Sequence, residues 1–279
     1  MSSLYETIKD RPIRHVVMPG AHDAGMSYLS TQFLSVGIKA NTQTQGLSTY
    51  KQLRYGSRWL DLRVLTVHEG GGHTFWTAHV NDETNSPPVG NSGESLHNVI
   101  ENINQFTAES PGEIIFLRFS YLIGINKVPT KPQYWTAEIM QQFFDELKTI
   151  NNRCISLPEI EFFLIKAGIF MDQNDGKGCV LILLDQANNQ YLDTLDSEPD
   201  GIYETRVMLY YDHWADEDTV KQVAANQTEG WNDVQRPGSS NGTSQDALYI
   251  NQWSVTPDPL DFITTSLSQY ANMMNPTLF

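Results

Sequence analysis

Predicted strands and helices alternate along most of this chain, and short links containing glycine and proline separate them. Runs with the apolar or alternating pattern of strands cover residues 16–18, 57–67, 73–80, 113–124, 179–185, 206–211 and 247–255. Helical spacing of apolar residues covers 47–55, 94–109, 136–150, 216–227 and 260–274. This order predicts an α/β fold with a mostly parallel sheet, either open or closed into a barrel.

The length of 279 residues suits one large domain, because α/β barrels of about 250 residues commonly fold as a single unit. The sequence has no internal repeat and no clear domain boundary, so we expect a single domain over residues 1–279. The seven predicted strands are one fewer than a complete barrel needs. We therefore expect an imperfect TIM-type (β/α) barrel whose last strand is missing from this chain. A truncated C-terminal end is the expected reason, and closure by residues before Ile13 and a barrel that stays open are the alternatives.

Acidic residues outnumber basic ones by 33 to 18, which gives a formal charge of −15. This charge disfavours a nucleic-acid partner and electrostatic docking on anionic lipid. The sequence has no long apolar run and no signal-peptide pattern, which points to the cytoplasm but leaves the compartment open. Cys154 and Cys179 are too few for a disulfide framework or a structural zinc site, so we expect two buried free thiols.

A candidate site begins in the stretch Ile13 to Gly25. An apolar run over residues 16–18 stops at Pro19-Gly20, and His22 and Asp23 follow immediately. In α/β barrels and open α/β sheets, functional side chains lie at the carboxyl ends of strands. The pattern therefore predicts that an imidazole and a carboxylate lie at such an end.

The second and third predicted strands supply partners for this pair. Period-two alternation places Asp61 and Arg63 on one face of the second strand, and His79 lies near the end of the third. Two histidines with an arginine suit in-line phosphoryl transfer, because one imidazole accepts a proton, the other donates one and the guanidinium stabilises the phosphate charge. A structural reading stays open, in which Asp61 and Arg63 form an internal ion pair and the histidines are incidental.

Three spaced motifs resemble the X-domain of phosphatidylinositol-specific phospholipase C. They are Met-Pro-Gly-Ala-His-Asp-Ala-Gly from Met18, Gly-Ser-Arg-Trp-Leu-Asp-Leu-Arg from Gly56, and Thr-Ala-His from Thr77. Asn-Thr-Gln-Thr-Gln-Gly from Asn41 is typical of the fungal phospholipase-C-like phosphodiesterases. The resemblance runs from about residue 13 to the end of the chain and is strongest over the first 80 residues.

The resemblance implies a (β/α)₈ barrel that cleaves phosphodiesters, and it implies a role for each matching residue. His22 is the general base, His79 the general acid, Asp23 the group that orients His79, Arg63 the phosphate clamp and Asp61 a helper. Members with arginine at the position of Arg63 need no metal ion, so we expect a metal-independent enzyme without a cofactor. A fixed cation beside the phosphate replaces a divalent ion and repels one.

Other positions depart from the family pattern. The fifth strand ends in Asp185, where the bacterial enzymes carry a basic residue for the inositol headgroup. Arg118 on the fourth strand compensates if its side chain points inward, and an outward surface position is equally open. Tyr211 and Trp214 are candidates for the wall of a headgroup pocket, although aromatic residues at a strand end are commonly packing residues.

A further departure concerns the group that orients His22. The family's last strand carries an aspartate that orients the general base, and no such strand follows the final helix here. Asp212 and Asp258 are candidate substitutes.

We expect a phosphoinositide lipid or a related phosphodiester as substrate. Transient membrane-surface contact through Phe75, Trp76 or the 26–40 loop is a further expectation. The main alternative is a catalytically impaired relative that serves as a binding or scaffold protein. A metal-dependent phosphodiesterase acting on glycerophosphodiesters ranks below both, because Arg63 lies where that site needs negative charge.

Overall fold

The computed structural model describes residues 1–30, 38–69, 72–80, 89–126, 131–132, 135–185, 200–208, 210–235, 247–256 and 265–277. The chain packs as two compact units. The larger consists of Met1–Arg11, Val16–Glu159 and Lys166–Arg206, and the smaller of Pro12–His15, Ile160–Ile165 and Val207–Phe279. The single domain expected over residues 1–279 stays a prediction.

A mixed sheet organises the larger unit. Its strands are β1 (Gly20–Ala21), β2 (Trp59–Glu69), β3 (Gly72–Val80), β4 (Gly90–Ser95), β5 (Glu113–Asn126), β6 (Lys131–Pro132), β7 (Gly178–Leu184) and β8 (Ile202–Glu204). The order is β4-β3-β2-β5-β7-β8, with β1 added beside β2 and β6 beside β5. The pairs β1–β2, β2–β5, β5–β7 and β7–β8 are parallel. The mostly parallel α/β sheet predicted from the sequence is therefore confirmed.

Seven α-helices of the same unit lie within the described residues. They are α1 (Tyr5–Ile8), α2 (Lys39–Thr42), α3 (Thr49–Arg54), α4 (Leu96–Glu109), α5 (Ala137–Leu147), α6 (Ala167–Met171) and the short turn α7 (Gln173–Gly176). The side chains of Ser95 and Thr136 accept hydrogen bonds from the free backbone N–H groups that open α4 and α5. Both helices bury one apolar stripe, as their spacing predicts.

The strand β7 is buried along its whole length, which agrees with its continuous apolar sequence. Its side chains on one face join those of β2 and β5 and the apolar faces of α4 and α5 in a single core. Burial on both faces fixes these three parallel strands, and their carboxyl ends lie at one edge of the sheet.

The smaller unit holds two strands and two helices within the described residues. They are β9 (Tyr210–Asp212), α8 (Val220–Gln235), β10 (Leu248–Ile250) and α9 (Leu267–Met274). β9 and β10 pair in parallel, and a small core packs around Val223 and Tyr270. The strands predicted over 206–211 and 247–255 are thus shorter than expected. The loop predicted over 237–244 lies outside the described residues.

The strand predicted over residues 16–18 is wrong. Ile13–His15 forms a 3₁₀ turn, Val17 is 95% exposed, and pairing with β2 begins only at Gly20. Pro19 lacks an N–H group, so it cannot donate to a strand ladder. Its carbonyl oxygen instead accepts a hydrogen bond of 2.8 Å from the backbone of Arg58. The strand that pairs with β2 here is therefore the two-residue β1, which begins after the predicted run has ended.

The predicted loop over residues 81–93 also needs correction, in its described part. Gly90–Ser95 is a strand that pairs antiparallel with β3, and the helix predicted from residue 94 begins at Leu96. Its glycines, serines and asparagine have low strand propensity, so only tertiary packing makes them a strand. Among the described residues, no helix is both long enough and apolar enough to cross a bilayer.

Candidate active site

The turn after β1 places His22 and Asp23 at the carboxyl end of that strand. Gly20 and Ala21 pair with Trp59 and Leu60, and the chain then turns away from the sheet. Asp23 adopts a φ of 48°, a left-handed conformation that aspartate tolerates better than most residues. The backbone N–H of Ala24 donates to the Asp61 carbonyl oxygen at 2.9 Å, so the turn is fixed to β2.

Side chains from the stretch 41–52 hold the carbonyl groups of this turn. The Gln45 amide donates to the His22 carbonyl oxygen at 2.6 Å, and the Thr44 hydroxyl donates to that of Asp23 at 3.1 Å. The Gln52 amide donates to the Ala24 carbonyl oxygen at 2.7 Å. The motif that begins at Asn41 thus serves as a clamp on the turn.

Gly25 allows the turn to lie directly against β3. A Cβ atom at this position would lie 2.2 Å from Cγ2 of Thr77, which is far closer than atoms can approach. The Thr77 hydroxyl lies 3.0 Å from the carbonyl oxygens of both Gly25 and Glu94. The Thr-Ala-His motif therefore fixes the turn and also carries His79, two residues further along β3.

The alternation of β2 brings Asp61 and Arg63 to the same site, as the sequence predicts. The guanidinium Nε of Arg63 lies 3.2 Å from Oδ1 of Asp23, and its charge lies 5.4 Å from the centre of the Tyr121 ring. The register between β2 and β5 shifts between Leu62 and Arg63. This irregularity does not move Arg63 away from the site.

Asp23 is the centre of the cluster. Its carboxylate is buried, and Oδ2 lies 3.3 Å from Nε2 of His22 and 3.8 Å from Nε2 of His79. Its other oxygen faces Arg63. Both histidine side chains remain partly exposed, at 30% and 25%, so solvent or a ligand reaches them. One carboxylate therefore holds two imidazoles and a guanidinium around a common opening.

Asp61 orients the opposite side of the His22 ring. Its Oδ2 lies 2.9 Å from Nδ1 of His22, and the Ser120 hydroxyl also hydrogen-bonds its carboxylate. Neither candidate from the later strands has a described role here: Asp212 hydrogen-bonds Gln252 within the smaller unit, and Asp258 lies outside the described residues. Within the described chain, the carboxylate beside Nδ1 of His22 belongs to β2.

The surroundings of His22 favour its charged form. Burial alone would lower its pKa, but the negative charge of Asp23 and the hydrogen bond and charge of Asp61 outweigh burial and raise the pKa to about 9. For Asp61, burial works to raise the pKa, and the hydrogen bond and charge of His22 shift it below its usual range. At neutral pH His22 is therefore an imidazolium held between two carboxylates.

Arg118 points to the same side of the sheet as Asp61. The two residues are direct neighbours in the β2–β5 register, and the charge of Arg118 helps to lower the pKa of Asp61. Its side chain is buried, and Nε and Nη2 lie 3.1 and 2.5 Å from Oδ2 of Asp185. Of the two orientations left open by the sequence, the structure has the inward one.

Tyr211 and Trp214 belong to the smaller unit. The Tyr211 ring stacks on Tyr249 with centres 5.4 Å apart, and the Trp214 indole donates to the Thr256 hydroxyl at 2.7 Å. Each has a packing partner within its own unit, and a role in headgroup binding stays a prediction. The structure thus brings six predicted residues together in the larger unit: His22, Asp23, Asp61, Arg63, His79 and Arg118.

Sequence reasoning missed the residues that support the cluster. Gln45, Thr44 and Gln52 clamp the turn through backbone carbonyls, and Asp185 pairs with Arg118. The position of Asp185 at the end of an apolar strand was a signal, since a carboxylate there needs a partner. The cluster can transfer protons at two imidazoles and hold an anion beside Arg63, which are the elements of acid–base chemistry on a phosphate ester.

Comparison with known proteins gives consistent relatives. No family model matches the sequence. The chain is 27% identical over 152 residues to a PI-PLC X-box domain-containing protein of Dictyostelium discoideum, covering 50% of this chain and 18% of that protein. It is 26% identical over 147 residues to mouse PI-PLC X domain-containing protein 3, covering 46% of this chain and 43% of that protein. The match therefore spans less than half the length of either relative.

Solved structures extend the likeness to most of the chain. Phosphatidylinositol-specific phospholipase C of Staphylococcus aureus has a TM-score of 0.63 at 13% identity, covering 99% of this chain and 83% of that one. The Listeria monocytogenes enzyme has a TM-score of 0.52 at 19% identity, with coverage of 97% and 82%. At such identities the likeness concerns the fold, and it confirms the imperfect TIM-type α/β barrel fold. This chain resembles the phosphatidylinositol-specific phospholipase C X-domain family in sequence over about half of its length and in fold over nearly all of it.

Proposed function

We propose that this protein is a metal-independent phosphoric diester hydrolase of the phosphatidylinositol-specific phospholipase C type. One observation carries the proposal: Nε2 of His22 and Nε2 of His79 face the same oxygen of Asp23, whose other oxygen faces Arg63. Two titratable rings and a cation around one partly exposed opening are the groups that in-line phosphoryl transfer requires. The resemblance to phospholipase C proteins in sequence and fold supports the same reaction class.

Each residue then has a role in the reaction. His22 accepts the proton of the attacking hydroxyl, which is a neighbouring hydroxyl of the substrate in the step that forms a cyclic phosphate. His79 donates a proton to the leaving oxygen, and Arg63 stabilises the charge on the non-bridging oxygens. Asp23 orients His79, and Asp61 orients His22 through Nδ1. Each proton-transfer role contributes roughly 10²–10⁴-fold to the rate.

The raised pKa of His22 sets the pH range of this mechanism. With a pKa of about 9, only about one molecule in a hundred carries neutral His22 at pH 7. A general base acts only when it is neutral, so loss of the His22 proton raises the rate with pH as long as His79, the proposed acid, keeps its proton.

Arg63 supports the proposal that no divalent cation takes part. Its guanidinium faces Asp23, the carboxylate at the centre of the cluster, so a cation is already present where the phosphate binds. A second cation at this place meets electrostatic repulsion.

The proposed substrate is a phosphoinositide lipid or a related phosphodiester, with transient contact at a membrane surface. Within the larger unit, Arg118 is the proposed headgroup contact, and the assignment of Tyr211 and Trp214 to substrate binding stays a prediction from the sequence. Of the expected membrane residues, Phe75 is only 5% exposed, so its place in the core contradicts that role. Tyr28 and Ile38 are exposed at 45% and 55%, and they are the described apolar residues of the 26–40 segment best suited to a lipid surface.

One observation favours the alternative of a catalytically impaired binding or scaffold protein. The guanidinium groups of Arg118 and Arg63 both face carboxylates, of Asp185 and Asp23. A phosphodiester has to compete with these carboxylates for the same cations, which weakens binding. The alternative predicts binding without turnover.

The deciding experiment assays cleavage of phosphatidylinositol vesicles and of a water-soluble inositol phosphodiester in EDTA. The wild type is compared with His22→Ala and with His97→Ala, which removes an exposed imidazole from α4. We expect cleavage by the wild type and by His97→Ala, and at least a 10²-fold loss in His22→Ala. A folded wild type that binds but does not cleave either substrate contradicts the proposal and supports the scaffold alternative. Activity that requires a divalent cation contradicts metal independence alone.

A further inference from the structure

The only two cysteines of the chain lie side by side in the larger unit. Cys154 follows α5 in a segment that runs along β7, and Cys179 is the second residue of β7. The backbone N–H of Cys154 donates to the Val180 carbonyl oxygen at 2.9 Å, and that of Val180 donates to Asn152 at 2.7 Å. Two backbone hydrogen bonds therefore fix the segment of Cys154 against the strand of Cys179.

The two thiols contact each other. The Cys179 thiol donates a hydrogen bond to the sulfur of Cys154, and both side chains are fully buried. This contact lowers the pKa of Cys154, whereas the same contact and burial raise the pKa of Cys179 well above its usual range. Cys154 is thus the thiol that ionises first, and Cys179 is the nearby thiol that stays protonated.

A surface pocket of about 500 Å³ lies next to Cys154. Its lining includes Arg153, Ile155, Ser156 and Gln173. The last two also contact Cys154: its thiol lies 3.5 Å from the Ser156 carbonyl oxygen, and Gln173 hydrogen-bonds its sulfur. Cys154 itself is fully buried and does not line the pocket, so a small reagent reaches its sulfur only when Ser156 or Gln173 moves.

We propose that Cys154 and Cys179 form a dithiol modification site, which a peroxide converts into an intramolecular disulfide. The Cys154 thiolate attacks one peroxide oxygen, the O–O bond breaks, and one water leaves after protonation. The thiol of Cys179 then attacks the sulfenic sulfur of Cys154, the S–O bond breaks, and the thiol proton leaves with the hydroxide as a second water. Two thiols are oxidised by two electrons, and one peroxide is reduced to two waters.

The disulfide joins the segment after α5 to β7 and closes the chain between residues 154 and 179. A covalent link across a loop of this length restricts the unfolded state and stabilises the fold. Cys179 lies at the start of β7, and Cys154 lies in the segment beside this strand. Asp185, the partner of Arg118, follows the end of β7. The reaction is independent of phosphodiester cleavage, so its failure leaves the proposed function untouched.

The test treats the folded chain with one to two equivalents of hydrogen peroxide and measures its intact mass without reductant. We expect a loss of about 2 Da in a monomer, reversal by dithiothreitol, and a cross-linked peptide that contains both cysteines. The melting temperature should rise by roughly 5–10 °C. Cys154→Ser and Cys179→Ser should each lose the mass change and the thermal shift.

Several results would overturn the proposal. They are an unchanged mass with two free thiols, a gain of about 16 Da or more that dithiothreitol does not reverse, or a disulfide between two chains. Because a serine variant can fail to fold, the wild-type mass and peptide measurement decides by itself. Circular dichroism before and after oxidation establishes that the chain that reacts is folded.

Discussion

The Nδ1 atom of His22 lies 2.9 Å from Oδ2 of Asp61, so β2 supplies the carboxylate that orients this imidazole. The resemblance implies only a helping role for Asp61, because it implies that the carboxylate orienting the general base lies on the last strand. Here the residue opposite Asp61 on β5 is Arg118, which keeps the carboxylate charged beside the ring. The orientation of His22 therefore depends on two neighbouring parallel strands of one sheet.

Asp61→Asn is expected to lower the pKa of His22. The substitution keeps the shape of the side chain and removes one of the two negative charges that raise this pKa to about 9. If His22 is the general base, its loss of a proton raises kcat/KM for a soluble phosphodiester up to about pH 9, as long as His79, the proposed acid, keeps its own proton. In Asp61→Asn this rise should move to lower pH.

Asp145→Asn on the exposed face of α5 is the matched control and should leave the profile unchanged. NMR titration of His22 measures the pKa directly. An unchanged profile in Asp61→Asn contradicts the role given to Asp61. A wild-type rate that falls as pH approaches 9 reports loss of a proton from the acid, so the His22 pKa from the NMR titration then decides the role of Asp61.

Stability should also depend on the charge of His22. Because its pKa is higher in the folded state than the unperturbed value near 6.5, the folded state binds this proton more tightly. The stabilisation is complete below about pH 6.5 and is lost as pH rises through about 9. The ring is 30% exposed, so solvent screening reduces the effect to on the order of 1–2 kcal/mol.

Urea unfolding of the wild type and of His22→Ala at pH 6 and pH 9.5 measures this difference. The free energy of unfolding of the wild type should fall more over this interval than that of the variant. Equal pH dependence in both proteins would mean that His22 does not bind its proton more tightly on folding.

Glu94 is a buried carboxylate, and its substitution by glutamine is expected to destabilise the fold. Its two oxygens accept hydrogen bonds from Ser27, the Thr49 backbone, Asn98 and Asn102, at 2.8 to 3.2 Å. Glutamine places a donor group where the partners are donors as well, so at least one hydrogen bond is lost and a buried polar group stays unsatisfied. The expected loss is roughly 2–3 kcal/mol.

Glu101→Gln removes an exposed carboxylate from α4, the helix that follows β4, and should change stability by less than about 0.5 kcal/mol. Chemical denaturation of both variants gives the comparison. A Glu94→Gln variant as stable as the Glu101→Gln control would contradict the hydrogen-bond network described for Glu94.

Much of the site could be predicted because it depends on local periodicity. Alternation along β2 places Asp61 and Arg63 on one face without any knowledge of the fold. The sequence also predicts that His79 lies near the end of β3. This strand begins after a glycine turn and ends where its apolar pattern ends. These residues share one property: the backbone of a single strand fixes the direction of each side chain.

The remainder depends on contacts between distant parts of the chain. Gln45 and Thr44 bind backbone carbonyls about twenty residues away, and no local spacing indicates such bonds. The glycine- and serine-rich β4 becomes a strand only because β3 offers it an edge. The run over residues 16–18 has strand propensity but no neighbour to pair with, and its propensity is therefore overridden.

Gly25 ends the motif that begins at Met18, and it allows the turn of this motif to lie against β3. Gly25→Ala is expected to disturb both the turn and the geometry of the site. An added Cβ at 2.2 Å from Thr77 Cγ2 forces the turn away from β3, and the turn carries His22 and Asp23. Overpacking of this kind costs about 1–3 kcal/mol. Because a shift of about 1 Å in catalytic groups costs about 10²-fold in rate, kcat should fall more than the folded fraction does.

Gly46→Ala is the matched control, since no atom lies within 4 Å of the Cβ that it adds. This variant should keep the activity and stability of the wild type. Full activity in Gly25→Ala would mean that the turn tolerates displacement from β3. The positions of His22 and Asp23 would then depend on the clamp from residues 44–52 and on the hydrogen bond between Ala24 and Asp61.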